Sequence, residues 1–354
     1  MTDVNRRQRV GVGLSGGVDS AAAALRLLEA GHEVLGFTMV LTAQGEATAA
    51  KARLVAERLG IPLVTVDLRR EFDEQVLEPF VASYASGRTP SPCVVCNARF
   101  KFGVLWERMR AEGCEAMATG HYARVVRHTP EAPPELHRGA DPAKDQSYFL
   151  AQLTHAQLAR AIFPLGDCLK ADVKARMASL GIVPPSEGES QDLCFLPQGD
   201  YASMVLARRP GLNARGPILD GDGHRLGTHD GAFRYTPGQR RGLGLGGGPW
   251  FVRRTDMATN AVVVAQRQDM RCQRLRLSGL NWLDPAPPPG QPLETTAQIR
   301  HLMKPRPAAI VRLPDGNARL DFHENILAAP PGQLAVLYDG ARVVASGWIE
   351  GAED

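Results

Sequence analysis

The N-terminal part of the chain contains a strand, a glycine turn and a helix in immediate succession, and this feature constrains the fold most. Apolar residues alternate with glycines over residues 10–14, which predicts a short buried strand. Good helix formers fill residues 21–29, and Gly31 follows as the expected C-terminal cap. The adjacent Gly16 and Gly17 let the backbone approach a ligand closely. A strand, a glycine turn and a helix N-terminus together predict an anion site, most often for phosphate.

Strands and helices continue to alternate through the first half of the chain. The further predicted strands are 33–41, 62–68 and 115–120, and the further predicted helices are 47–59, 70–84 and 170–180. This alternation predicts an α/β domain with a doubly wound parallel sheet. Ligands of such sheets bind beyond the carboxyl ends of the strands, where the glycine turn lies.

Cys93 and Cys96 form a CxxC pair, a spacing shared by zinc sites, iron–sulfur sites and redox pairs. A structural zinc site would need a second CxxC or a Cys/His pair nearby, and the sequence has none. Cys114 and Cys168 are isolated, as is usual for cysteines that fill a core. Cys194 follows a loop rich in glycine, serine and acidic residues, and its own surroundings favour a buried thiol.

The residues around the CxxC pair predict its local structure. Pro90 and Pro92 predict a stiff, extended loop. Asn97 is expected to cap a helix over 98–110, which would place Cys96 at the helix N-terminus. There the helix dipole would lower the pKa of the thiol and increase its thiolate fraction.

Charge is distributed unevenly along the chain, and this asymmetry suggests a polyanionic partner. Residues 199–276 hold 13 Arg and 6 Asp but no Lys or Glu, a net charge of +7, whereas the whole chain carries +3.

The final part of the chain alternates short apolar runs with turns rich in Pro and Gly, which predicts a small antiparallel β-barrel. We therefore predict three domains: an α/β domain over 1–198, a Gly/Arg-rich domain over 199–271 and a β-barrel domain over 272–354.

Other classes of protein are disfavoured. No apolar run approaches the roughly 20 residues needed to cross a bilayer, and the basic N-terminal residues are not followed by an apolar signal segment. Six cysteines in 354 residues are too few for a disulfide scaffold. We expect a cytoplasmic protein without membrane contact, and we expect a monomer.

Seven motifs carry a resemblance to a known family. SGGVDS resembles the pyrophosphate-binding loop of the ATP pyrophosphatases, the PP-loop superfamily. Over nearly the whole chain, the order of the motifs resembles that of the bacterial tRNA-specific 2-thiouridylases. The motifs are SGGVDS, GRTPSPCVVCN, ATGHY, KDQSYFL, DLCFLP, YTPGQRRGLGL and PGQLAVLY.

The resemblance implies that the domain over 1–198 is an ATP-binding catalytic domain and that the Gly/Arg-rich domain over 199–271 binds tRNA. It also implies roles for individual residues. Cys96 corresponds to the nucleophilic cysteine, and Cys194 to the cysteine that receives a persulfide sulfur. The residues implied to bind ATP are Gly13, Leu14, Ser15, Gly16, Gly17, Val18, Asp19, Ser20, Met39 and Gly120. Those implied to meet the target base are Ser91, Pro92 and Cys93. Those implied to contact tRNA elsewhere are His121, Lys144, Asp145, Gln146, Arg300, His301 and Gln333.

The resemblance also implies a reaction. With ATP and Mg²⁺, enzymes of this family adenylate the C2 oxygen of the wobble uridine at position 34 and replace it with sulfur. The implied partners are tRNAs of the Lys, Glu and Gln type and a sulfur-relay protein or cysteine desulfurase. The chemistry is plausible because a carbonyl oxygen leaves readily only after activation, and because two nearby thiols can exchange a disulfide.

Cys93 departs from the family pattern, which often has Asp at this position. The change creates three cysteines, at 93, 96 and 194, that could hold a [4Fe–4S] cluster with one open iron. We favour persulfide chemistry over this cluster variant.

Two rival functions remain open. Another PP-loop ligase or amidotransferase acting on a small molecule would explain SGGVDS, but it would leave the CxxC pair, Cys194 and the basic region unexplained. A non-catalytic RNA-binding protein is disfavoured by the intact Asp19 and loop serines.

Overall fold

The computed structural model describes residues 7–43, 45–182, 193–196, 200–327 and 329–353. The chain divides into two compact units. The first comprises Met1–Val76, Cys93–Phe195 and Ala341–Val343, and the second comprises Leu77–Pro92, Leu196–Gly340 and Val344–Asp354. The chain therefore leaves the first unit for residues 77–92 before returning to it. The predicted domain boundary at 198–199 lies outside the described residues.

A five-stranded parallel sheet forms the centre of the first unit, in the order β3–β2–β1–β4–β7. The strands of this unit are β1 (Arg9–Gly13), β2 (Glu33–Val40), β3 (Leu63–Asp67), β4 (Ala116–Ala118), β5 (Ala123–Val126), β6 (Glu135–Arg138) and β7 (Ala161–Ile162). β1 pairs with β2 on one side and with β4 on the other, so the order of the strands reverses at β1. Such a reversal opens a crevice at the carboxyl ends of the strands. The predicted α/β parallel fold is confirmed.

Helices cover this sheet. In chain order, the α-helices of the described residues are α1 (Val18–Glu29), α2 (Gly45–Leu59), α3 (Arg69–Phe72), α4 (Glu78–Ala85), α5 (Pro92–Val95), α6 (Trp106–Ala111), α7 (Ser147–Leu150), α8 (His155–Leu158), α9 (Lys170–Ser179) and α10 (Tyr201–Arg208). The first helix buries its alanine run, residues 21–24, in the core that also contains Val10 and Val12 of β1. Alanine lets the helix lie close to the sheet, because its short side chain adds little thickness to the packed layer.

The segment that carries the CxxC pair is helical from Pro92 to Ala111, since α5 continues into a π-helix over Cys96–Leu105 and then into α6. The predicted helix over 98–110, capped by Asn97, is therefore wrong in its start. Pro92 occupies the first turn, where a missing N–H removes no helical hydrogen bond, so the proline begins the helix instead of preventing it. The Asn97 side chain instead donates its Nδ2–H to the carbonyl oxygen of Phe149, at 3.0 Å.

The second unit contains two β structures. A four-stranded sheet has the order β10–β11–β8–β9, and a six-stranded antiparallel barrel has the order β12–β15–β14–β13–β16–β17, closed by pairing of β17 with β12. The strands are β8 (Gly216–Leu219), β9 (Arg225–His229), β10 (Phe251–Asp256), β11 (Ala261–Ala265), β12 (Arg271–Trp282), β13 (Pro292–Gln298), β14 (Arg306–Arg312), β15 (Ala318–Leu327), β16 (Leu334–Asp339) and β17 (Arg342–Glu353). The predicted C-terminal β-barrel is confirmed.

Among the described residues, no helix combines the length and the apolar character required to cross a membrane.

Candidate active site

The glycine loop, residues 13–20, joins the carboxyl end of β1 to the N-terminus of α1. Its two serines close it: the Ser15 amide donates to Ser20 Oγ at 3.2 Å, and Ser20 Oγ–H donates to the Gly17 carbonyl oxygen at 3.0 Å. Gly17 is the N-terminal cap residue of α1, and no side chain caps this helix. A helix N-terminus at the sheet edge presents backbone N–H groups and a positive dipole end, as the sequence predicted for an anion site.

Two glycines allow the close packing of this loop. Gly16 has a φ of +76°, and a Cβ atom there would lie 2.5 Å from Cβ of Lys51. A Cβ atom at Gly120 would lie 2.7 Å from the carbonyl carbon of Asp19. Any side chain at either position would push the loop away from its support. The backbone following β4 therefore touches the first turn of α1.

The carboxylate of Asp19 is held by two residues from distant parts of the first unit. Lys170 Nζ lies 2.6 Å from both carboxylate oxygens, and the Tyr122 hydroxyl donates to Oδ1 at 2.9 Å. The Lys170 side chain is 12% exposed. Burial, followed by the charge of Asp19, raises the pKa of the Tyr122 phenol, so it remains a neutral donor. We call residues 13–20 with Gly120, Tyr122 and Lys170 the glycine-loop cluster.

Met39, the remaining residue implied to bind ATP, lies near the carboxyl end of β2, where it pairs in register with Val66 of β3. Gly120 follows the carboxyl end of β4. Because β1, β2 and β4 are parallel, both residues lie at the same edge of the sheet as the glycine loop. The structure thus brings the predicted ATP-binding residues to one edge.

Cys93, Cys96 and Cys194 form a second cluster in the same unit, which we call the thiol cluster. Burial raises the pKa of the Cys96 thiol to about 12, and it also raises the pKa of Cys93 and of Cys194. Cys194 raises the pKa of both other thiols by its proximity. The lowered Cys96 pKa that the sequence predicted is therefore wrong, because desolvation outweighs any helix dipole. Cys96 is buried, whereas Cys194 is exposed as a residue although its thiol is partly desolvated by its neighbours.

Lys101 is the cation that acts on all three thiols, and it lowers the pKa of each against the larger effect of burial. Its position depends on the π-helix that begins at Cys96. Backbone hydrogen bonds of a π-helix join residues five apart, so Lys101 lies one π-turn after Cys96 on the same side of the helix. Lys101 also contributes to a lowered pKa of His121, which is caused first by burial. Since His121 follows Gly120, the charge of Lys101 reaches from the thiol cluster to the vicinity of the glycine-loop cluster.

The spacing of the three sulfur atoms limits which metal site the thiol cluster can form. His nitrogens, Cys sulfurs and carboxylate oxygens are the atoms that could bind a metal ion. Among the described residues, only Asp220, Asp222 and His224 bring three such atoms within 4.8 Å of one another. The three sulfur atoms are therefore not mutually this close, whereas a tetrahedral zinc site would hold them about 3.8 Å apart. The arrangement does not fit a mononuclear zinc site, and all six cysteines are free thiols.

Three of the residues implied to contact tRNA have internal roles. Asp145 is buried and accepts hydrogen bonds from Arg138 Nη1 at 2.7 Å and from the Ser147 amide at 3.0 Å. The Gln146 side chain accepts from the Tyr122 amide at 3.0 Å, and His121 Nδ1 lies 2.7 Å from the hydroxyl of Thr119. These contacts join residues 145–147 to the segment beside Gly120. Lys144 lies at the start of this turn and is half-buried.

The implied contacts Ser91, Arg300, His301 and Gln333 belong to the second unit. Gln333 Nε2 donates to the carbonyl oxygens of Thr89, at 3.0 Å, and Pro90, at 3.3 Å. The backbone of this turn also accepts a hydrogen bond from the Thr89 amide, at 2.8 Å. Gln333 therefore holds the loop that precedes buried Ser91. Arg300 is half-buried and His301 is exposed.

Sequence reasoning missed Lys170 and Tyr122, whereas Lys101 was expected to favour the Cys96 thiolate because it is nearby in sequence. Lys170 is 151 residues from Asp19, and no local pattern distinguishes it from other lysines at a helix start. Tyr122 belongs to a motif already singled out, so its position beside Gly120 was an available signal. The place of Lys101 on the same side of the helix as Cys96 depends on the π-helix, which hydrophobic periodicity does not reveal.

A glycine loop at the edge of a parallel sheet, followed by a small β domain and a closed β-barrel, defines a three-part α/β protein of the HUP class. Three family models match the chain in this order. They are described as a tRNA methyl transferase HUP domain over residues 8–198, a tRNA methyl transferase PRC-barrel domain over 205–266 and an aminomethyltransferase beta-barrel domain over 272–349.

Curated relatives make the family more specific. A tRNA-specific 2-thiouridylase MnmA from Magnetococcus marinus is 42% identical over 355 residues, covering 97% of this chain and 99% of the relative. Proteins of the same name from Syntrophotalea carbinolica and Geotalea uraniireducens are 42% and 41% identical, covering 97% and 99% of this chain and 99% and 97% of the relatives. The chain belongs to the tRNA-specific 2-thiouridylase family, which confirms the resemblance seen in its motifs.

Proposed function

We propose that this protein is an ATP-dependent tRNA sulfurtransferase that replaces the C2 oxygen of uridine 34 with sulfur. The observation that carries this proposal is the thiol cluster: Cys194 is 98 positions from Cys96 in sequence, yet both lie in one unit and Cys194 raises the pKa of Cys96. The same unit contains the glycine-loop cluster, which suits the phosphates of MgATP. Relatives that are 42% identical are named tRNA-specific 2-thiouridylases.

The first step in this proposal activates the base. The C2 oxygen of uridine attacks the α-phosphorus of MgATP, pyrophosphate leaves, and AMP remains bonded to that oxygen. The glycine loop would hold the phosphates through backbone N–H groups. The Lys170 ammonium, held by the Asp19 carboxylate, would place a positive charge beside these phosphates. Uridine 34 lies in an anticodon loop, where a base can be unstacked at low cost.

The second step transfers sulfur. The terminal sulfur of a Cys194 persulfide attacks C2, and AMP departs with the original oxygen. Cys96 then attacks the Cys194 sulfur, which leaves the transferred sulfur on C2 and forms a Cys96–Cys194 disulfide. An external thiol must reduce this disulfide before the next turnover. The exposure of Cys194 suits loading by a sulfur-relay protein or cysteine desulfurase, whereas buried Cys96 suits the internal step.

A [4Fe–4S] cluster on Cys93, Cys96 and Cys194 is the second candidate, because this chain has a third thiol at position 93. Metal ligation requires deprotonated thiols, and burial raises the pKa of all three. The persulfide route also needs a thiolate at Cys96, so the iron content of the active protein decides between the two candidates. Protein purified without oxygen should be fully active without bound iron and sulfide. Activity that follows the iron content would instead support the cluster.

Mass analysis of tRNA nucleosides tests the proposed function. With MgATP, a persulfide donor and tRNA of the Lys, Glu or Gln type, we expect 2-thiouridine at position 34. Cys96→Ser and Cys194→Ser should each lower its formation on the order of 10³-fold or more while tRNA binding persists. Cys168→Ser is the matched control. Pyrophosphate release driven equally well by a small amino acid, without tRNA, would support the rival ligase function. We place the reaction in the cytoplasm and expect a monomer to perform it.

A further inference from the structure

A row of three aromatic rings connects the chain beside Cys194 to the helix that carries Cys96. The Phe195 ring contacts the Phe72 ring edge-to-face, with centroids 5.8 Å apart and planes at 68°. The Phe72 ring contacts the Phe100 ring in the same manner, at 5.3 Å and 69°. The three residues are 8%, 0% and 0% exposed. Edge-to-face contact fixes ring orientation as well as distance.

The two ends of this row lie next to the two thiols. Phe195 directly follows Cys194, so its ring is anchored one residue away from an exposed thiol. Phe100 lies four residues after Cys96 within the π-helix, and side chains four apart share one side of a helix. Phe72, at the end of α3, lies between them. The row therefore spans from the backbone of one thiol to the helix face of the other.

We infer that Phe195 is a positioning residue that holds Cys194 within reach of Cys96 through its contact with Phe72 and Phe100. This inference rests on the proposed function for its purpose, but not for its test. Cys194 must be exposed to receive sulfur and must also meet a buried partner. An anchor on the next residue satisfies both needs, because it fixes the backbone while leaving the thiol uncovered.

Disulfide formation between the two thiols tests this inference without ATP or tRNA. Oxidised glutathione first forms a mixed disulfide at exposed Cys194 and releases one glutathione. The Cys96 thiol then displaces the second glutathione and forms the Cys96–Cys194 disulfide. Two protein thiols are oxidised, and one glutathione disulfide is reduced to two thiols. Peptide mass analysis of the quenched full-length protein follows both steps separately.

Phe195→Ala should leave the first step unchanged and slow the second step about tenfold or more. Phe195→Leu keeps most of the apolar volume and should slow the second step less. Phe72→Leu leaves residue 195 unchanged but removes the ring between Phe195 and Phe100, so it should also slow the second step. Phe163→Ala is the matched control, because Phe163 is also 8% exposed and makes one edge-to-face contact with a Phe ring, at 5.9 Å. This control should leave both steps unchanged.

A second step of wild-type rate in Phe195→Ala and Phe72→Leu would overturn the inference, as would equal slowing by Phe163→Ala. If Phe195→Ala fails to fold, the comparison of Phe195→Leu with Phe72→Leu decides the result. Because the assay needs no thiolation activity, the anchor can be confirmed or rejected independently of the proposed function.

Discussion

The glycine-loop cluster and the thiol cluster belong to the same unit, but they differ in whether their ionisable groups have charged or hydrogen-bonding partners. In the glycine-loop cluster, the Asp19 carboxylate already has an ammonium and a phenol as partners. In the thiol cluster, burial favours the protonated form of every thiol over the reactive thiolate, and Lys101 opposes it at all three positions. The first cluster is arranged to bind charge, whereas burial in the second keeps its thiols protonated.

Removing the charge of Asp19 should produce the largest loss. Asp19→Asn keeps the size of the side chain but leaves largely buried Lys170 without its anionic partner. We expect tRNA-dependent pyrophosphate release to fall on the order of 10²- to 10³-fold. Glutathione modification of Cys194 should not change, because the thiol cluster does not depend on this ion pair. Asp172→Asn, which removes an exposed acid from the first turn of α9, is the control. Equal losses in the two variants would contradict a special role for Asp19.

A methyl group at Gly16 should have an intermediate effect on the glycine-loop cluster. Gly16 and Gly31 both have positive φ, +76° and +82°, so alanine should cost about 1–2 kcal/mol of folding free energy at either position. Only Gly16 would also collide with a neighbour, since nothing lies within 4 Å of a Cβ atom at Gly31. We expect KM for ATP to rise about tenfold in Gly16→Ala, equivalent to about 1.4 kcal/mol, and not in Gly31→Ala. An unchanged KM in both variants would show that the loop does not bind ATP.

Alkaline pH should reveal the smallest effect, in the thiol cluster. The pKa of Cys96 is about 12 in the folded protein and near 9 for an ordinary thiol, so the folded state holds this proton more tightly. The resulting stabilisation is complete below pH 9 and is lost as the pH rises toward 12. By pH 10 the loss should be about 1 kcal/mol. Denaturant unfolding of Cys96→Ala should therefore depend less steeply on pH above 9 than that of wild type. Cys168→Ala controls for a thiol removed elsewhere. If the free energy of unfolding depends on pH equally in all three proteins, the burial assigned to the Cys96 thiol is contradicted.

The sequence predicted the glycine-loop cluster better than the thiol cluster, and the reason is the range of the interactions. The loop, its helix and its strand are consecutive, so local propensity and periodicity suffice to place residues 13–20 at the sheet edge. Lys170 joins them only through tertiary packing. At the thiol cluster, Pro92 obeys a local rule that permits both an extended loop and a helix start, and the tertiary structure selects the helix. Desolvation of Cys96 likewise depends on neighbours that are distant in sequence, and hence its pKa could not be predicted from the adjacent residues.

The contact of Gln333 with Thr89 and Pro90 has a practical consequence for dissecting this protein. The residues leading into the CxxC helix are supported by the C-terminal barrel, through this amide and through an ion pair between Arg88 and Glu350, with Nη1 and Oε2 2.7 Å apart. A fragment that ends at residue 198 would retain every residue implied to bind ATP and every cysteine except Cys272. It would nevertheless lack the scaffold on which residues 88–90 rest. Such a fragment is suited to measuring nucleotide affinity and unsuited to judging how the enzyme recognises a base.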